Sequence, residues 1–96
     1  NYGDLASTYP APESIDELKK RIEELETALH ARRKEIPDAN DVIEAARGAS
    51  EQMNKERPLK GVVVALLVRV ANGVKAAVDL AAQVAPLVQA ANKLLG

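Results

Sequence analysis

From residue 59 to residue 95 an apolar residue or glycine recurs on a strict 3-4 spacing: Leu59, Val63, Leu66, Val70, Gly73, Ala77, Leu80, Val84, Leu87, Ala91 and Leu94. Such spacing keeps one side of an α-helix apolar turn after turn, and a seam of that length needs a surface to pack against. Apolar residues also continue beyond the seam, at Val62, Leu67, Val74, Val78, Ala81, Ala85, Val88 and Leu95. That is more than a single wet-sided helix carries. The cover has to come from the rest of the chain, a second copy or a membrane.

A bilayer span is the least favoured of the three. The longest uncharged run, Leu80 to Asn92, is 13 residues and contains Gln83, Pro86 and Gln89, whereas a span needs about 20 predominantly apolar residues. No signal-peptide pattern is recognisable. The chain opens on Asn1 rather than Met, as expected of a processed or excised piece.

Ninety-six residues fit one domain, with residues 1–12 expected as a tail or linker and 13–96 as a single helical domain. Cys, Trp and Phe are absent, and the two tyrosines both fall in the first nine residues. The core must therefore be aliphatic, which suits helix packing better than a ligand pocket. Without cysteine there is neither a disulfide framework nor a thiolate metal site, and a cytoplasmic setting is expected. Charge is divided unevenly: 21 charged residues lie between Glu13 and Arg57, but only Lys60, Arg69, Lys75, Asp79 and Lys93 follow. Residues 1–57 sum to −4 and residues 58–96 to +3.

Ser14 followed by Glu17 forms a capping box that opens a first helix, in which Ile15, Leu18, Ile22, Leu25 and Leu29 make a narrow apolar stripe. Glu17 with Arg21 and Lys20 with Glu24 stand at i, i+4. Arg32, Arg33 and Lys34 suit the carboxyl end, and the helix is expected over about 15–35, because Pro37 cannot donate its amide and pushes Ile36 out of helical geometry. Asp38 is placed to cap a second helix, whose stripe is Ala39, Val42, Ala46, Ala49 and Met53 with Ile43 beside it. Gly48 in mid-helix costs about 1 kcal/mol against alanine and marks close helix contact. That helix is expected to end near Lys55, with Pro58 in the first turn of a third.

The third segment reads as one long curved helix, because the 3-4 spacing runs through Gly73 in phase and only Asn72 could cap a restart. Pro86 lies on the polar strip and bends the helix without ending it. The fold class is thus all-α, a helical hairpin plus a long curved C-terminal helix; the alternative is a four-helix bundle broken at Asn72-Gly73. A continuous helix of roughly 37 residues would reach about 55 Å, some twice what the two shorter helices can cover. The uncovered length would then be an interface, with Leu66, Val70, Gly73, Ala77, Leu80, Val84 and Leu87 as its contact face.

No catalytic constellation competes with that reading. His30 is the only histidine and has no nucleophile or second ligand beside it, so it reads as a solvated side chain. Asp38, Asn40, Asp41 and Glu44 resemble the start of a calcium loop, but Ile43 and Ala49 stand where such a loop needs Gly and Glu; capping explains the cluster. Glu23, Glu24 and Glu26 form a charged helix face with no pocket to shift them. Arg32 to Lys34 lack the basic face and the aromatics that nucleic-acid binding uses. Neither cofactor, metal, small-molecule substrate nor nucleic acid is expected.

The Asn1-Tyr2-Gly3-Asp4 lead, the helix beginning Ser14-Ile-Asp-Glu-Leu-Lys-Lys-Arg, the Pro-Asp-led second helix and the Ala/Val/Leu-rich carboxyl helix ending at Gly96 together resemble small helical effector-associated domains of bacterial conflict systems. The resemblance spans Ser14 to Gly96 in architecture and composition, and it implies an adaptor that couples sensor and effector proteins by like-with-like contact. The short lead does not have the Gly/Asn/Gln pattern of an amyloid signalling motif. A non-enzymatic domain mediating homotypic association, or binding a helical protein partner, is therefore expected. A membrane-active amphipathic protein that engages a membrane surface is the alternative.

Overall fold

Four helices account for the regular structure in the computed structural model, which describes residues 10–95. They are α1 (Ile15–Ala31), α2 (Ala39–Met53), α3 (Lys60–Gly73) and α4 (Val78–Leu94), with a 3-10 turn at Arg33–Glu35. Each helix packs on the next, and α4 returns onto α1. The all-α class expected from the sequence holds, as a small helical bundle. Residues 1–9 of the expected tail, including the Asn1 to Asp4 lead, and Gly96 lie outside the described residues.

Capping sets the start of α1. Ser14 Oγ accepts the Glu17 amide at 3.1 Å, and the Glu17 carboxylate reaches back to the Glu13 amide at 3.4 Å, one residue before its expected target. Leu18, Ile22, Leu25 and Leu29 are wholly buried, whereas Ile15 at the helix mouth stays 43% exposed. The expected i, i+4 ion pairs do not close: Arg21 instead donates to the Pro10 carbonyl at 2.9 Å. The helix stops at Ala31, four residues short of expectation. Ile36 is extended, as a residue before proline must be, and the 3-10 turn swings it into the core.

Asp38 occupies the cap position of α2, but in left-handed geometry (φ 53°) and with no side-chain capping bond. Its carbonyl accepts the amides of Asp41 and Val42, the ordinary first bonds of the helix, and the carboxylate adds none. Val42, Ile43, Ala45, Ala46, Ala49 and Met53 form the buried face of α2. Pro58 precedes α3 and is not in its first turn; Leu59 takes the cap position. The Leu59 amide is held by Oε1 of the buried Gln52, at 3.2 Å.

The long C-terminal helix is not formed. The chain leaves helical geometry at Val74, and the Ala77 amide closes the corner on the Val74 carbonyl at 2.9 Å. The four-helix alternative is the one adopted. Reversal at this corner lets both halves of the apolar run bury against one core: Val63, Leu67, Val70 and Val74 from one, Leu80, Val84, Leu87 and Ala91 from the other. Each of the valines and leucines gains about 1.5–3 kcal/mol by burial, which outweighs the roughly 1 kcal/mol forgone by restarting without a side-chain cap. Asn72 stays in α3, and Ala77 takes the cap position with no side-chain bond. Pro86 lies inside α4, which runs through it.

Register between α2 and α3 can be read from two close approaches. Gly73 meets Val42, and Gly48 meets Leu66. Six residues forward along α2 correspond to seven backward along α3, so the two helices run antiparallel. A side-chain tie joins the far corners: Arg32, at the end of α1, donates to Asp79, in the first turn of α4, and to Glu35 at 2.8 Å.

A candidate interaction surface

The residues expected to form the contact face are placed mainly in the core. Val70, Leu80 and Val84 are fully buried and Leu87 nearly so. Leu66 and Gly73 are half-buried against α2, and Ala77 is half-buried at the start of α4. The structure brings these side chains together, but around the chain's own axis, because the reversal at 74–77 turns the seam onto α1 and α2. The surface available to a partner therefore has to be sought elsewhere on the same two helices.

An apolar strip lies on the outer side of the α3–α4 hairpin and is the candidate. Leu66 and Gly73 face α2, and a step of two residues turns about 200° around a helix. Val64 and Ala71 therefore sit on the opposite flank of α3, toward α4. By the same geometry, Asp79 faces α1 through Arg32, so Ala81, and Val88 two turns on, sit on the α3 side of α4. Val64, Ala71, Ala81 and Val88 are each half-buried. Outward of these rows Val68 is 41% exposed, and Ala85 is exposed. No charged side chain interrupts the strip along its length; Lys60 and Lys93, in the last turn of α4, stand at one end and Lys75 at the other, and Arg69 lies round toward α2.

The outer faces of α1 and α2 differ in kind. Their exposed positions include Asp16, Lys20, Glu23, Glu24, Asp41, Glu44, Arg47 and Glu51. Arg47 links Glu44 at 3.8 Å and Glu51 at 3.4 Å along α2. Among the described residues, the large exposed apolar side chains are Ile15, Leu59, Val62, Val68 and Val78, and all but Ile15 belong to the α3–α4 half. The uneven charge along the sequence thus becomes a densely charged side and a sparsely charged side of one small domain. The sequence pointed to this strip only through the apolar residues in excess of the seam, Ala81, Ala85 and Val88 among them.

Chemistry is sparse elsewhere. His30 is exposed at the end of α1. Among the described residues no three His, Asp or Glu side chains gather as metal ligands, and no helix is long and apolar enough to cross a membrane. Open clefts lie between Pro10–Glu13 and the end of α4, and between Arg33, Lys34 and the start of α2. Neither holds a buried polar group without a partner. At the corner tie, hydrogen bonds from Arg32 hold the Asp79 and Glu35 carboxyls below their ordinary values. Comparison with protein-family models, curated proteins and solved structures found no match.

Proposed function

We propose that this chain is a non-enzymatic protein–protein interaction domain that associates homotypically through the outer side of the α3–α4 hairpin. One observation carries the reading: an uncharged, partly exposed apolar strip on a domain whose opposite side is densely charged. Contiguous exposed apolar surface on a small soluble domain is characteristic of a contact site. The adaptor role implied by the resemblance to effector-associated domains belongs to this proposal and adds no residue to it.

Sedimentation equilibrium and light scattering test the reading. Association is expected as the concentration rises into the high micromolar range, and Val68→Glu is expected to abolish it while leaving the helical circular-dichroism spectrum unchanged. A strict monomer throughout that range rejects homotypic association. The membrane-surface reading rests on the same strip with Lys60, Lys75 and Lys93 at its ends. Co-flotation with phosphatidylcholine–phosphatidylglycerol vesicles, lost in Val68→Glu, would favour it instead.

A further inference from the structure

Granting the homotypic reading, we infer that two copies meet strip to strip about a two-fold axis, giving a closed dimer rather than an open chain of molecules. A head-to-tail contact needs two different complementary patches on each copy, and repeats of it run on into filaments unless the rotation closes. Among the described residues the large exposed apolar side chains other than Ile15 all belong to the α3–α4 half, and the outward positions of α1 and α2 are mostly charged or polar. An apolar strip set against that charged side would strip water from carboxylates and guanidinium groups with nothing to pair them. The strip therefore finds its complement in its own copy, where Val68, Ala85 and their half-buried neighbours Val64, Ala71, Ala81 and Val88 meet the same residues.

Size supports the same occupant. The hairpin offers helices of 14 and 17 residues, which at 1.5 Å per residue and ~8–10 Å between axes present a face of about 25 by 20 Å. Two such faces remove on the order of 1,000 Å² from water, the lower bound for a specific contact. One helix alone would supply about half of that. Small side chains along the strip, Ala71, Ala81 and Ala85 among them, let the two layers approach closely. The dimer is consequently specific but dissociable, and its cations sit at the rim: Lys60, Lys75 and Lys93 stay hydrated at the ends of the strip while the centre carries no charge.

Two measurements test the inference together. In sedimentation equilibrium the mass should rise to that of a dimer and stop, with Val68→Glu and Ala85→Glu each raising the dissociation constant about tenfold or more, a loss of about 1.4 kcal/mol. Raising salt from 50 to 500 mM should tighten the dimer, because it screens like-charged rims. The chain has no cysteine, so a Val68→Cys/Ala85→Cys variant can be treated with a short bismaleimide. Cross-linking confined to dimers supports the closed contact. A ladder of higher species, or mass that climbs past two copies, overturns the closed dimer and leaves homotypic association standing. A monomer at every concentration rejects both.

Discussion

Gly73, the last residue of α3, lies so close to Val42 at the start of α2 that a Cβ on Gly73 would overlap Val42 Cγ2. Helix propensity alone favours alanine over glycine by about 1 kcal/mol, yet here the added methyl has to displace a buried β-branched side chain with few rotamers to choose from. Overpacking of that kind costs about 1–3 kcal/mol. Gly73→Ala is therefore expected to lower stability by urea denaturation. Adding Val42→Ala should recover part of the loss, with a coupling of at least ~0.5 kcal/mol in the double-mutant cycle. Additive effects would show that the two residues are not in contact.

The same change at Gly48 is expected to have the opposite sign. A Cβ there would stand 3.1 Å from Leu66 Cδ1, the far end of a half-buried and flexible side chain that can yield by a few tenths of an ångström. With Gly48 inside α2, the propensity gain of about 1 kcal/mol should outweigh the adjustment and leave Gly48→Ala more stable by about 0.5 kcal/mol. A fall in the urea midpoint would mean that Leu66 is locked by its other neighbours.

These two glycines mark where sequence reasoning succeeds and where it stops. Gly48 in mid-helix announced a close helix contact, because nothing local favours glycine there. Gly73 was ambiguous, since an in-phase glycine fits a continuous seam as well as a corner. Periodicity is a local property; reversal at 74–77 is decided by whether α1 and α2 offer a surface for Leu80, Val84 and Leu87, which is a tertiary matter. The α1 stripe and the α2 face were legible because polar residues isolate them. On α3 the excess of apolar residues blurs the phase: the 3-4 spacing selects Leu66 for the seam, whereas Leu67 is the residue buried. The candidate surface was hidden for the same reason, as a strip of Val and Ala looks like core until the core has been filled.

Placement of the seam in the core gives a further expectation. Leu80 is fully buried, and Leu80→Ala should destabilise the monomer by about 2–5 kcal/mol. Val68→Ala, on the exposed strip, should change monomer stability by less than about 1 kcal/mol. Urea denaturation of both variants at low micromolar concentration, where association is negligible, makes the comparison. Equal effects would mean that the strip is as well packed as the core and is not a surface at all.

Acid should loosen the corner between α1 and α4. Arg32 donates to Asp79 and Glu35, and these hydrogen bonds hold both carboxyls below their ordinary values of 3.8 and 4.5. A carboxyl whose folded pKa lies below its unfolded one stabilises the fold above the unfolded value, and that contribution fades as pH falls through the folded value. The urea midpoint is therefore expected to drop on acidification below about pH 4.5. All three side chains are partly exposed, so the effect is modest and screened by salt. Arg32→Gln should lower the midpoint at pH 6, and the gap from wild type should narrow at about pH 2.5, as the carboxyls take up protons. In 1 M NaCl the pH 6 gap should also shrink. A gap of the same size at both pH values would assign the role of Arg32 to its aliphatic stem packing at the corner and not to its charge.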